Sequence, residues 1–144
     1  MKKFFFILSL ITVCSASTFA QCDKKIVWTA AKAEFLDDSG KVEKNVDEHI
    51  VVKTNTKTIT ITHDGDVNDT LKGTVSASTC NWKQAFKDGK SVLKAAFVER
   101  DNQSIDGELR IEGKDGKIFI YLQIETPEGK KLIKIYIDNY KEEA

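Results

Sequence analysis

Between residues 105 and 139 the chain alternates oily and polar side chains with hardly a break. Ile105, Leu109 and Ile111, then Ile118, Ile120, Leu122 and Ile124, then Ile133, Ile135 and Ile137 recur at every second position, with Gly107 filling the gap. Asp106, Glu108, Arg110, Glu112, Lys117, Gln123, Glu125, Lys134 and Asp138 occupy the other phase. A period of two gives one apolar and one wet face, which is the pattern of antiparallel strands and not of helices. Gly113-Lys114-Asp115-Gly116 and Pro127-Glu128-Gly129-Lys130 separate the three runs, both rich in residues that tight hairpin turns favour. Whatever this chain folds into must bury one face of that meander.

The same period, less regular, extends toward the N-terminus. Residues 25–36 read as a strand through Ile26, Val27, Trp28 and Phe35, although three alanines leave a helix open. Residues 41–48 read as a polar loop or a short irregular strand after the turn cluster Asp37-Asp38-Ser39-Gly40. Residues 49–54 and 58–63 form a hairpin about Asn55-Thr56-Lys57. Residues 69–80 set Leu71, Gly73, Val75 and Ala77 against Lys72, Thr74, Ser76 and Ser78. Residues 81–90 then read as a connection holding Trp82 and Phe86, before a strand resumes over 91–99. Eight strands joined by short turns predict an all-β, antiparallel up-and-down meander that closes as a barrel, because closure removes exposed edges. A β-sandwich is the alternative.

The first twenty residues have a different build. Lys2 and Lys3 precede an apolar run from Phe4 to Val13, and small residues follow to Ala20. That is the plan of a secretory signal peptide, with cleavage expected after Ala20 and Gln21 as the new terminus. Cys14 and Cys22 follow Val13 and Gln21, not the small residue that usually precedes a lipidated cysteine, so a lipid anchor is the minor reading. Residues 21–144 then form a single exported domain, periplasmic or extracellular, with no membrane span. Its remaining cysteines, Cys22 and Cys80, are expected to pair in an oxidising compartment, a cross-link worth on the order of 4 kcal/mol. Two free buried thiols are the alternative.

Charge narrows the partners. The full chain balances 22 basic against 22 acidic residues, with both signs interspersed along the strands, unlike the basic stripe of a nucleic-acid binder. Only Arg100 and Arg110 among those basic residues are arginines, so planar forks for phosphate or carboxylate are scarce. No nucleophile elbow, Gly-rich phosphate loop or metal-ligand spacing occurs, so neither catalysis nor a cofactor or metal is expected.

Trp28 in the first strand is followed by the run Lys32-Ala33-Glu34-Phe35-Leu36-Asp37-Asp38-Ser39-Gly40-Lys41 and then by the strand meander. In this the chain resembles the small secreted lipocalin-like proteins of bacteria, a calycin-type resemblance that implies an eight-stranded barrel able to take a small hydrophobic ligand. An eight-stranded barrel is just wide enough to be filled by side chains or to hold one such molecule. The residues expected to line a cavity are Trp28, Gly73, Val75, Ala77, Gly107, Leu109, Ile120, Leu122 and Ile135. The small ones among them would leave space, or would serve as the small partners in a filled taper.

Other candidates carry plainer readings. Asp64-Gly65-Asp66-Val67-Asn68-Asp69 spaces oxygens as a calcium loop does, but lacks the Gly and Glu such a loop requires, so a solvated turn is expected. His49 and His63 are expected to face each other across the 49–63 hairpin, two ligands where zinc needs three or four. On the wet face, Tyr121 is expected opposite Tyr136 and Phe119 beside Arg110, an aromatic patch that either stabilises the sheet or serves as a partner surface. Together these readings give a monomeric, non-catalytic exported protein binding a small apolar ligand. The alternative is a protein-binding, inhibitor-like envelope module working through Phe119, Tyr121, Tyr136 and Trp82, with a structural envelope protein as a third reading.

Overall fold

The computed structural model describes residues 22–99 and 101–144. The signal-peptide reading of residues 1–20, together with Cys14, Gln21 and Arg100, falls outside the described residues. Nine strands follow one another: β1 (Lys25–Leu36), β2 (Val42–Val46), β3 (Ile50–Thr54), β4 (Thr58–His63), β5 (Thr70–Gln84), β6 (Asp88–Val98), β7 (Ser104–Lys114), β8 (Lys117–Thr126) and β9 (Gly129–Glu143). Each pairs antiparallel with its neighbours in the order β2-β1-β3-β4-β5-β6-β7-β8-β9, and β1 also pairs with β9. The meander therefore closes into a barrel.

Nine strands fill eight places. One edge of β1 carries β9 from Lys25↔Glu143 to Leu36↔Leu132. The other edge is shared: β3 takes Ile26 to Ala30, and β2 takes Ala33 to Leu36. β2 and β3 are thus two pieces of one wall position, broken at residues 47–49. Where β1 changes partner it also bulges, and Asp138 Oδ2 accepts the Ala31 N–H at 2.9 Å, satisfying a donor that the ladder leaves out.

The alternation seen in the sequence maps onto the wall. Trp28, Ile50, Val52, Ile59, Ile61, Phe97, Leu109, Ile120 and Ile135 are the largest fully buried side chains, contributed by β1, β3, β4, β6, β7, β8 and β9. Burying each such side chain is worth about 1.5–3 kcal/mol, which is why the apolar phase dictates which face turns in. The β7–β8 turn is Asp115-Gly116, with φ of 52° and 76°, the left-handed pair that a two-residue hairpin loop requires.

Three local departures alter what faces inward. β5 bulges between Val75 and Ala77, so that Val75 pairs with Ala95 and Ala77 with Lys94. The extra residue, Ser76, reverses the phase: Ala77 is exposed, and the inward row continues through Cys80 and Trp82. The stretch 81–90, expected as a connection, is instead the far end of the β5–β6 hairpin, with Trp82 paired to Gly89. Thr54 pairs with Ile59, and Asn55 Oδ1 closes the turn between β3 and β4 by accepting the Lys57 and Thr58 N–H groups at 2.8 and 2.9 Å. Ile50 consequently lies opposite His63, one residue away from the register that would set His49 against it. His63 turns inward and His49 outward.

Cys22 and Cys80 form a disulfide with Cα atoms 6.0 Å apart and 58 positions apart in sequence. It ties the segment before β1 to β5 on the far side of the barrel. Replacing both cysteines by serine is expected to lower unfolding free energy by about 2–5 kcal/mol. Urea denaturation of the oxidised protein and the Cys22→Ser/Cys80→Ser variant checks this, and equal midpoints would refute it.

Candidate functional site: a one-ended cavity

The two ends of the barrel differ. At the end where β5 and β6 turn, three buried rings fill the section and the exposed Tyr140 lies against them. Trp28 and Phe86 meet edge-on with centroids 5.3 Å apart, Trp82 and Phe86 at 5.4 Å, and Phe86 and Tyr140 at 5.1 Å. Both indole N–H groups have partners: Trp28 Nε1 donates to Thr54 Oγ1 at 3.0 Å, and Trp82 Nε1 donates to Ser91 Oγ at 2.8 Å. A void of about 30 Å³ remains there beside the disulfide, too small for an organic ligand. This end is a plug.

The middle is filled as well. The Phe97 ring, fully buried, lies against two glycines: a Cβ on Gly73 would come within 2.7 Å of it, and one on Gly107 within 2.9 Å. The small inward residues are thus the complement of one large side chain, not open space. Leu109 and Ile120 are fully buried in the same packing. Trp28, Gly73, Val75, Ala77, Gly107, Leu109 and Ile120 accordingly do not line the cavity at the other end of the barrel. Trp28 belongs to the plug, Gly73 and Gly107 are covered by Phe97, Val75 packs at the core's margin and Ala77 faces out.

Beyond Phe97 the barrel opens. A cavity of about 560 Å³ occupies the end that carries the β4–β5 and β6–β7 connections. Phe35, Val46, Ile50, Ile61 and Leu71 form one side of it, and Leu122, Ile124, Ile133 and Ile135 the other. Of the residues expected from sequence, Leu122 and Ile135 are the two that line it. Its mouth is polar, with Glu48, His63, Asp69, Thr70, Glu99, Asp101 and Lys131. His63 Nδ1 lies 2.9 Å from Glu48 Oε1, joining the break between β2 and β3 to the end of β4. An apolar chamber of this size with a polar rim is the usual form of a small-molecule site. Sequence alone could have pointed to the inward row Ile50, Ile61 and Leu71, but not to the end of the barrel that stays empty.

The loop after β4 spends its carboxylates on the backbone. Asp64 Oδ1 accepts the His49 N–H at 3.0 Å, and Asp66 Oδ1 accepts the Asn68 N–H at 2.8 Å. Among the described residues, no group of three or more His, Cys, Asp or Glu side chains is placed to hold a metal ion. No helix there is long and apolar enough to cross a membrane.

The aromatic patch on the outer face is real, but its register differs by two from the expected one. Phe119 faces Tyr136, and Tyr121 faces Arg110 on one side and Lys134 on the other. Two rows cross the sheet: Arg110, Tyr121, Lys134 and Glu34, then Glu112, Phe119, Tyr136 and Lys32. Each end joins opposite charges across the rows, Arg110 Nε to Glu112 Oε1 at 2.8 Å and Lys32 Nζ to Glu34 Oε1 at 3.2 Å. The Lys134 ammonium sits 4.6 Å from the Phe119 centroid and 4.8 Å from that of Tyr136, and Arg110 lies 4.7 Å from Tyr121. These cations cover the rings, which are half-buried. Trp82 does not join them: it is 2 % exposed, inside the plug.

No protein-family model, curated protein sequence or solved structure is significantly similar to this chain.

The patch also carries a pH signature. The Tyr136 hydroxyl donates to Glu34 Oε2 at 2.7 Å. That bond, opposed in part by burial and reinforced by Lys32 and the charge of Lys134, holds the Glu34 carboxyl below its ordinary 4.5. A carboxylate with a depressed folded-state pKa stabilises the fold above its unfolded value and loses that contribution as pH falls through the folded one. Tyr136→Phe is therefore expected to lower the melting temperature at pH 7 and to shrink the further loss between pH 5 and pH 3. Thermal melts across that range check it, and a variant losing as much on acidification as the parent would contradict it.

Proposed function

We propose that the protein is an exported, non-catalytic, lipocalin-like binding protein that holds a small apolar ligand in the open half of its barrel. The observation that carries this reading is the 560 Å³ apolar cavity beyond Phe97, walled by β1–β5 and by β8 and β9. A wall with that many aliphatic side chains gains free energy when water at its surface is replaced by hydrocarbon, at about 25 cal/mol per Å² of apolar surface covered. Among the described residues the chamber wall is hydrocarbon, which favours holding an apolar molecule. The disulfide supports export, because such bonds persist in oxidising compartments. The outer aromatic patch supports a structural role better than a docking one, since its rings are occupied by Lys134 and Arg110 of the same chain.

Titration of the purified, oxidised protein with Nile red, a neutral probe whose emission reports polarity, is expected to saturate at one site per molecule. Ile133→Trp places a large ring in the chamber from a half-buried wall position and is expected to weaken binding at least tenfold while the circular dichroism spectrum is retained. Unsaturable emission from the folded parent, or unchanged affinity in the folded variant, would overturn the proposal.

A further inference from the structure

The chamber is blind, and its depth offers one chemistry. Its lower wall is hydrocarbon, with Ile50, Ile61, Leu71, Leu122, Ile124 and Ile135, and polar side chains enter only at the rim. Phe97 sets the floor. On β5, Leu71 lines the chamber, while Gly73, the next inward position, pairs with Phe97 and lies under its ring. On the other side Gly107 pairs with Ile124, a wall residue, and faces Cε2 of the same ring. A Cβ on either glycine would collide with that ring, so the pair forms a slot that holds it across the lumen. Beyond it the barrel is closed by the plug of Trp28, Trp82 and Phe86.

The consequence for a guest rests on the chamber being the binding site proposed above. Along β9 the lining runs from Ile135 to Lys131, about 13 Å of strand. At the tilt of a barrel wall that is about 10 Å of depth. An extended tail of about eight to ten carbons spans it. A hydroxyl carried down to the floor would lose its water and meet no partner, because the surrounding strand backbones are paired with one another. A polar group left at the rim keeps its hydration.

We propose that the chamber takes single-headed amphiphiles tail first, and that Phe97, clamped between Gly73 and Gly107, sets the length of tail it rewards. Each methylene adds affinity while it covers wall, and none once the tail has met the ring.

The test uses neutral alcohols displacing Nile red from the purified, oxidised protein, below their solubility and aggregation limits. From hexanol upward, affinity is expected to rise about fourfold per methylene and to level off before tetradecanol. The isomers 1,2-dodecanediol and 1,12-dodecanediol test orientation, since only the first can keep both hydroxyls at the rim with its tail extended. The 1,2 isomer is expected to bind at least tenfold tighter, after division by the ratio of their octanol–water partition coefficients. Phe97→Ala is expected to move the levelling point out by two or more carbons. Where that variant does not fold, Phe97→Leu serves, with a shift of at least one carbon. Equal corrected affinities of the two diols overturn tail-first entry. A rise that continues through tetradecanol, or a folded Phe97 variant with an unmoved levelling point, overturns Phe97 as the gauge. Any of these leaves the cavity reading intact, whereas alcohols that all fail to displace the probe overturn both.

Discussion

Closure of the barrel depends on β1. It is the strand to which three others attach, β9 along one edge and β2 and β3 in succession along the other. The β1–β9 pairing joins the first strand to the last, the contact of longest range in the chain and so among the most demanding in loop-closure entropy. It is secured by more than ladder hydrogen bonds. The Glu34–Tyr136 bond and the Lys24–Glu142 ion pair cross the same seam, at 2.7 and 2.8 Å. The cation-covered rows of the outer face extend inward from that seam across β8 to β7. The wet side of the C-terminal meander therefore helps hold the ring shut.

The interior follows a different rule, filling by size. Where β5 and β7 each present a glycine, Phe97 of β6 occupies the gap, and where the β5–β6 hairpin curls under the barrel, Trp82 and Phe86 meet Trp28. Both devices act in the lower and middle sections. The upper section has mostly aliphatic side chains of moderate length, and they do not reach one another across the lumen. The chamber is what remains after packing has been completed elsewhere.

Much of this fold was legible in the sequence, because period-two alternation is a local property and closure is the simplest way to satisfy it. The isoleucines of β8 and β9 and the turn at Asp115-Gly116 could be placed from their spacing alone. Three features could not. The bulge at Ser76 adds one residue without any glycine or proline to mark it, and so moves Ala77 outside. The turn after β3 sets Thr54 opposite Ile59 and not Thr58, a single step of register, enough to separate His49 from His63. Trp82 reads as a surface aromatic until β5 and β6 are seen to continue as a hairpin. For the site, Leu122 and Ile135 reach the chamber because they share the inward phase, whereas the glycines misled. A small residue signals room, but which ring takes that room depends on a strand paired from elsewhere in the chain.

The division of labour between the two ends has a mechanical consequence. The plugged end is cross-linked by the disulfide, packed ring against ring, and hydrogen-bonded at both indoles. The open end has one wall piece, β2, whose residues are almost all exposed and which pairs with β1 alone. Such a strand opens at low free-energy cost while the remainder of the ring stays shut. The barrel is thus a cup with one lightly held stave at its lip, and movement of that stave would leave untouched the seam that keeps the vessel whole.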